Sequence, residues 1–417
     1  MSLPQSNQPK PALKSVLPGA MIFFGAALTG AGALVSFSRD GGTEFGFSWL
    51  LAFMFYYSIA LGALFMVMIH HLTDAGWSVG IRRFCEHMAS LLFPWLAILF
   101  LPVGFFGPKI YSWMTMSPTT NNLVAAKQPV FTMTGFWVTS AVFFAILGFL
   151  SWRLRSLSLK QDETGSPECF HKMRFHSGWG IVALGLTLTF SGVLWMQAVQ
   201  YQWFSAMYGV YFFASSVWAG LAVIYVIAVA LLRQGILTPV LKHNYFYFIG
   251  VLLLAFTLLA SYSEFAQYFV VWNANMPEET FWYLIRENGN WWTLSMILIL
   301  GKFFIPFFAL LPVHLKTNFK VLIPVCLLII VMHAADLAFN ILPTRHTNGY
   351  PLSWIILPVG CLLLMGGILG KVFIKKFNAH PPYPQSDPRL LEAMGVSAHV
   401  DDDYWAGEPD EDEGGTQ

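Results

Sequence analysis

Four ionisable side chains lie within long apolar stretches of this 417-residue chain: Glu264, Lys302, His333 and Asp336. A charge placed in hydrocarbon costs at least about 2.5–3.5 kcal/mol on insertion scales, so these four residues, here called the membrane group, are candidates for function. His333 and Asp336 are three residues apart, which puts them on one face of a helix. Groups that titrate at different depths are what a proton path requires. The alternative is a buried ion pair that holds helices together, and the sequence leaves both open.

A second set of polar residues, here called the inner group, follows a long apolar stretch and comprises His70, His71, Asp74, Arg83 and Glu86. His70 and Asp74 are four residues apart, so on a continuing helix the imidazole and the carboxylate would be neighbours. A histidine beside a carboxylate can hold a proton near pH 7 and can hydrogen-bond a quinol hydroxyl. The spacing therefore predicts an inner end to the proton path. The alternative is an ordinary solvated turn at a membrane surface.

The composition determines which class of protein holds these groups. Hydrophobic residues make up 56% of the chain and charged residues only 11%, whereas a soluble domain is about a quarter charged. These values exclude a soluble enzyme, a nucleic-acid binder and a disordered protein, and they predict an all-α polytopic membrane protein. No CxxC, CxxCH or HExxH motif indicates a covalent haem, an iron–sulfur cluster or a zinc site. We therefore expect four free thiols at Cys85, Cys169, Cys326 and Cys361.

A spanning helix needs about 20 apolar residues, and ten stretches meet this requirement. They are residues 16–37, 48–70, 84–106, 134–152, 177–197, 209–232, 244–270, 291–312, 320–341 and 352–374. The chain then divides into an N-terminal segment (1–15), a ten-helix membrane domain (16–376) and an acidic, proline-containing tail (377–417). Pro102 lies inside the third stretch, where we expect a kink.

Lysine and arginine predict the orientation. Of the 23 basic residues, 17 lie on the side that holds both termini, five lie on the other side and one lies within a span. The positive-inside rule then places both termini in the cytoplasm. On the outer side, the connection 271–290 predicts a short interfacial helix. Asn275 suits its cap, Pro277 suits its first turn, and Trp282 would anchor it at the membrane surface.

Several motifs resemble those of the NrfD/polysulfide-reductase family of membrane subunits. They are His70-His71-Leu-Thr-Asp-Ala-Gly-Trp-Ser-Val with Arg82-Arg83, Ser156-Leu-Ser-Leu-Lys-Gln-Asp162, Trp195 with Trp203-Phe-Ser-Ala-Met-Tyr-Gly209, and Trp272-Asn-Ala-Asn-Met-Pro-Glu-Glu-Thr280. Within that family the chain resembles the ActF-type subunits of bacterial alternative complex III, over roughly residues 15–378.

This resemblance implies two four-helix bundles with two peripheral helices, in the cytoplasmic membrane of a bacterium. The complex oxidises menaquinol and passes electrons to a cytochrome c or directly to a terminal oxidase. The resemblance implies no cofactor in this chain, because haem c and iron–sulfur clusters belong to partner subunits and menaquinol binds the sister subunit. The implied partners are the NrfD-like sister subunit, an iron–sulfur subunit, a multihaem cytochrome c, a terminal oxidase and the lipid bilayer, with no nucleic acid.

Two departures from the family pattern favour the ActF type over its sister type, ActC. Leu194 stands where the family often has Asp, and residues 127–132 replace an outer Lys-x-x-Tyr-Leu-Asn segment. The lost polar residues weaken a quinol-oxidising role for this chain. The resemblance then implies that the chain docks partner subunits and offers proton half-channels, formed by the membrane group and the inner group. A secondary transporter and a purely structural scaffold remain as alternatives.

Overall fold

The computed structural model describes residues 12–119, 121–238, 240–241, 243–390 and 394. None of these residues lies in a strand, and ten helices are long and apolar enough to cross a membrane. The predicted class, an all-α polytopic membrane protein, is therefore confirmed. The helices are α1 (Leu17–Asp40), α2 (Thr43–Leu72), α3 (Gly76–Phe105), α4 (Met133–Thr164), α5 (Pro167–Gln200), α6 (Tyr208–Arg233), α7 (Tyr245–Ala274), α8 (Asn290–Leu310), α9 (Phe319–Thr344) and α10 (Leu352–Asn378).

The ten helices form two four-helix bundles and a peripheral pair, as predicted. Helices α2–α5 make one bundle and α6–α9 the other, and the two bundles meet along α2 and α6. Helices α1 and α10 pack on each other and against α2. Leu13 exchanges two backbone hydrogen bonds with the side chain of Asn378, so α1 begins beside the end of α10. Following the predicted orientation, we call this end of the bundles the inner end.

The contact between the two bundles is tight because glycines let the backbones approach. A Cβ atom on Gly62 of α2 would lie 2.4 Å from the carbonyl oxygen of Ser216 on α6, well inside van der Waals contact. Gly220 lies opposite, and a Cβ there would be 3.1 Å from the Cα of Gly62. Small residues at helix interfaces permit such packing in membranes. No side chain larger than hydrogen fits at this seam without moving a helix.

Two spans contain a wide π-helical turn. In α3 it covers Leu92–Leu96, and Phe93 leaves helical geometry there with φ −139° and ψ 135°. The break in α3 therefore precedes Pro94 rather than lying at Pro102, where we expected it. In α8 the wide turn covers Ile299–Phe304 and carries Lys302. Such turns occur often at functional sites because they change which way the following side chains point.

Two inner connections differ from the sequence-based boundaries. Helices α4 and α5 extend to Thr164 and from Pro167, so only residues 165–166 join them, whereas the hydrophobic stretches ended at 152 and began at 177. Gly165 ends α4 with a positive φ of 63°, and Pro167 occupies the first turn of α5. The charged residues between the two apolar stretches thus form a helical hairpin that projects beyond the membrane.

The outer helix predicted in the connection 271–290 is confirmed at Pro277–Arg286. Its cap is different, because Met276 precedes the helix and no side chain caps it, while Asn275 has a positive φ of 49°. Trp282 is buried and stacks on Trp203 at a centroid distance of 4.5 Å. It packs within the protein rather than at the membrane surface.

Candidate functional site

The structure brings three of the four residues of the membrane group together. The Nζ atom of Lys302 donates hydrogen bonds to a carboxylate oxygen of Glu264 and, at 2.8 Å, to Oδ2 of Asp336. A third, longer contact of 3.4 Å joins the same Nζ to Oγ of Ser215. These residues come from α6, α7, α8 and α9, so one ammonium group links every helix of the second bundle.

The carboxylate of Asp336 continues the network toward the outer end. The hydroxyl of Tyr211 donates to Oδ2 of Asp336 at 2.6 Å, and the side-chain amide of Asn340 donates to the Tyr211 oxygen at 2.9 Å. Tyr208 donates in turn to Oδ1 of Asn340 at 3.3 Å. Hydrogen bonds in such a chain polarise and strengthen one another.

The burial of the three ionic groups is unequal. The side chain of Lys302 is 2% exposed and that of Asp336 5% exposed, whereas 35% of the Glu264 side chain is exposed. Burying one unpaired charge costs several kcal/mol, and pairing offsets this cost only with good geometry. Glu264 lies ten residues from the outer end of α7, or about 15 Å along the helix. Glu264 is therefore the most exposed of the three ionic groups and lies at membrane depth.

His333, the fourth member of the membrane group, makes a separate contact. Its Nε2 atom lies 2.7 Å from Oγ of Ser58 on α2. The Ser58 hydroxyl also lies 2.8 Å from the carbonyl oxygen of Phe55 in the preceding turn of α2. Nδ1 of His333 has no hydrogen-bond partner among the described residues. Although Asp336 lies three residues further on, His333 makes no direct hydrogen bond to the triad of Glu264, Lys302 and Asp336.

The inner group forms a buried ionic cluster at the opposite end of the bundles. Arg82 and Arg83 bracket Glu86, with Nε of Arg82 at 3.3 Å and Nη1 of Arg83 at 3.4 Å from its two oxygens. Arg83 also pairs with Asp162 on α4. His70 contacts the hydroxyl of Ser78 and lies 3.4 Å from Nη1 of Arg82. The ring nitrogens of His71 are buried and without a hydrogen-bond partner in the described part of the chain.

The expected pair of His70 and Asp74 does not form. Helix α2 ends at Leu72, and Asp74 adopts a positive φ of 55°, which turns its carboxylate away from the helix. That carboxylate instead accepts a hydrogen bond of 2.8 Å from Arg389. The four-residue spacing predicted neighbours only for a continuing helix, so this expectation was wrong.

The segment after α10 covers the inner cluster. Asp387 pairs with Arg82 and accepts from Arg389 at 3.0 Å, and both of these side chains are buried with it. The backbone N–H of Gln385 donates to Oδ1 of Asp162 at 3.0 Å. Burial by itself raises the pKa of Asp387, but the charge of Arg82 and the hydrogen bond and charge of Arg389 lower it to about 2. We call residues 379–390 the strap; the acidic residues beyond it lie outside the described residues.

The two polar clusters are separated. His70 of the inner group lies twelve residues after Ser58, which contacts the membrane group, along α2. This corresponds to about 18 Å along the helix. Every residue of α2 between them is apolar or glycine, and the seam at Gly62 lies within this stretch. The two groups therefore form two half-sites that no polar side chain of α2 connects.

Sequence reasoning identified the ions but missed several of their partners. Tyr211 and Asn340 were not predicted, although Asn340 is four residues after Asp336 and shares the helix face of His333. In the inner cluster, Asp162 belongs to the motif at residues 156–162 but was not predicted to be a member of the inner group. Asp387 and Arg389 belong to a tail that showed no apolar pattern, so no sequence signal pointed to their burial.

The four cysteines are free and buried. Among the described residues, no three His, Cys, Asp or Glu side chains come together in a way that could hold a metal ion. The sequence matches no protein-family model and no curated protein.

Proposed function

We propose that this integral membrane protein is a proton-conducting subunit of a quinol-oxidising respiratory complex. The observation that carries the proposal is the position of Lys302 between two carboxylates at membrane depth, one buried and one partly exposed. A purely structural ion pair needs one acid and one base. A second acid with an open side provides a group that can take up or release a proton while the cation remains paired.

The geometry supports a specific sequence of events. A proton that arrives at Glu264 neutralises its carboxylate and releases Lys302 to pair with Asp336 alone. The proton continues through Asp336, whose Oδ2 accepts from both Lys302 and Tyr211. Asn340 donates to the Tyr211 oxygen and accepts from Tyr208, so these two side chains hold the Tyr211 hydroxyl in place against Asp336. The cation thereby keeps a buried anion compensated at each step, which avoids the cost of an unpaired charge.

The setting of this activity rests on the resemblance to NrfD-type subunits. We propose that the chain is the ActF-type subunit of a bacterial alternative complex III, with haem c and iron–sulfur clusters in partner subunits and menaquinol in the sister subunit. The ten-helix architecture agrees with such a subunit. The chain then docks these partners and conducts protons without holding a redox centre.

A structural scaffold is the second candidate, and one observation favours it. The Lys302 triad connects helices α6 to α9, so it contributes to packing whether or not protons move. The test is to replace Lys302→Ala and Asp336→Asn and to measure protons moved per electron in the assembled complex. Conduction predicts a lower stoichiometry with assembly retained. His346→Gln, which removes an outer contact with Glu44 at 2.8 Å, serves as the control.

Unchanged stoichiometry in assembled Lys302 and Asp336 variants would refute conduction, and loss of assembly alone would favour the scaffold.

Membership of the complex has its own test. Native purification, a reduced-minus-oxidised spectrum and mass spectrometry of co-purifying chains should give a c-type haem signal, an iron–sulfur subunit and a second ten-helix chain. A lone, colourless polypeptide would contradict membership and would favour a secondary transporter.

A further inference from the structure

The hairpin of α4 and α5 borders an open cavity of about 500 Å³ at its inner end. Its walls come from the last three turns of α4, the first two turns of α5 and the connection between them. The lining residues are Arg153, Ser156, Leu157, Lys160, Thr164, Ser166, Glu168, Cys169 and Lys172. The proposed proton path uses none of them.

The cavity has an unbalanced positive charge. Glu168 is its one acidic residue, and this carboxylate is already paired with Lys172 at 2.8 Å. Arg153 and Lys160 therefore supply two positive charges that no acid of the lining compensates. Of the three hydroxyl groups in the lining, those of Ser156 and Thr164 donate to the carbonyl oxygens of Arg153 and Lys160, so Ser166 supplies the hydrogen-bond donor that suits a phosphate oxygen.

The end of the cavity at Arg153 lies at the depth of the headgroup region of a bilayer. Trp152 is 60% exposed and Trp179 is 40% exposed on the neighbouring turns, as expected for an aromatic belt at the membrane surface. Arg153, next to Trp152, lies 3.2 Å from Nε2 of His176 across the hairpin. From Arg153 to Lys160 the helix rises by about 10 Å. A polar headgroup layer is roughly 5–8 Å thick on each side, so Arg153 lies within that layer and Lys160 lies just beyond it.

We propose that this cavity binds the headgroup of an anionic phospholipid from the surrounding membrane. Arg153 and Lys160 pair with the phosphate, and the hydroxyl of Ser166 donates to one of its oxygens. The acyl chains extend past the aromatic belt along Phe149 and Phe175, whose side chains are 45% and 71% exposed. Basic pockets between helices on the inner side of a membrane recognise anionic headgroups in this way.

Lipid binding to the purified full chain tests the proposal. Native mass spectrometry and thermal unfolding would compare phosphatidylglycerol with phosphatidylcholine, and inorganic phosphate would be added as a separate probe. The wild-type protein should retain phosphatidylglycerol in preference to phosphatidylcholine and should unfold at a higher temperature with it. The double variant Arg153→Gln, Lys160→Gln should bind phosphatidylglycerol about 30-fold more weakly, since each basic residue near an anionic surface contributes about 1 kcal/mol.

The matched control is Lys371→Gln, Lys375→Gln, which removes the same charge from exposed positions at the inner end of α10. It should leave phosphatidylglycerol binding within about twofold of the wild type. An equal loss in both double variants would overturn the proposal, because it would mean that net surface charge alone attracts the lipid. A wild type without preference for phosphatidylglycerol would overturn it as well. Displacement of the lipid by inorganic phosphate would assign the cavity to a free anion instead.

Discussion

The strap gives the sharpest quantitative prediction, because its main anchor lies outside the membrane. Asp387 is buried between Arg82 and Arg389, and its pKa falls from 3.8 to about 2. One pKa unit corresponds to about 1.4 kcal/mol, so ionised Asp387 holds the strap on the inner cluster with about 2 kcal/mol. Asp387→Asn keeps the shape of the side chain and removes this stabilisation of the docked strap. Arg82 still has Glu86 as a partner at 3.3 Å, so the bundles should remain folded.

Hydrogen exchange of residues 379–390 in the full chain measures the opening of the strap directly. A loss of about 2 kcal/mol raises the open population about 30-fold, and exchange of the strap amides should accelerate by the same factor. Exchange in α2 and α3 should change little. Glu163→Gln is the control, because it removes an exposed carboxylate next to Asp162 without touching the strap.

The sign of the pH dependence follows from the lowered pKa of Asp387. A carboxylate with a pKa below its unfolded value stabilises the docked strap above about pH 4 and loses this effect as the pH falls toward 2. After correction for intrinsic rates, strap protection in the wild type should therefore be constant from pH 5 to 8 and should fall below pH 4. Wild-type protection in Asp387→Asn at pH 7 would refute the reasoning, as would equal acceleration in Glu163→Gln.

Two further predictions concern the membrane-embedded part. Lys302→Met leaves Glu264 and Asp336 facing each other without their cation, so the free energy of unfolding in detergent should fall by about 3–5 kcal/mol. Adding Asp336→Asn should restore part of this loss. A Lys302→Met variant as stable as the wild type would contradict the ionic role of Lys302. Gly62→Ala should destabilise the protein by about 1–3 kcal/mol, because its new Cβ would meet backbone of α6. Gly185→Ala, where the added atom meets nothing within 4 Å, should not destabilise it.

The ten spans were predictable because one property determines them. Apolar length decides whether a helix enters the bilayer, and that length is written in consecutive residues. Helix ends follow different rules, which is why α4 and α5 were predicted too short by about three turns each. Their hairpin depends on Gly165 as a left-handed cap and on Pro167 at the next first turn. Gly165 and Pro167 together are a recognisable signal for the end of one helix and the beginning of the next. They lie among charged residues, however, which hydropathy alone assigns to a loop.

The site was predictable in its members but not in its connections. Charge within apolar sequence marked Lys302 and Asp336 without showing that they meet. Their contact depends on the wide turn at Ile299–Phe304, which changes the direction of Lys302 relative to a regular helix. A period of 3.6 residues carries no information about such a turn. The inner cluster was harder still, because its buried anion Asp387 comes from a segment without any apolar pattern.

The separation of the two half-sites bears on how conduction would be controlled. A proton moves between groups that are within hydrogen-bond reach, about 3 Å, and α2 has no polar side chain over the 18 Å between Ser58 and His70. On the neighbouring helices, Trp218 donates to the hydroxyl of Thr257, which donates in turn to the carbonyl oxygen of Leu253, so both donors already have acceptors. Transfer along α2 then requires water to enter the seam at Gly62, and the close approach of α2 and α6 leaves no room for it there. In this arrangement the protein would hold protons at both ends without leaking them. Coupling to electron transfer would then act by separating α2 from α6, and the strap, fixed to the inner cluster beside α2, is positioned to respond to that movement.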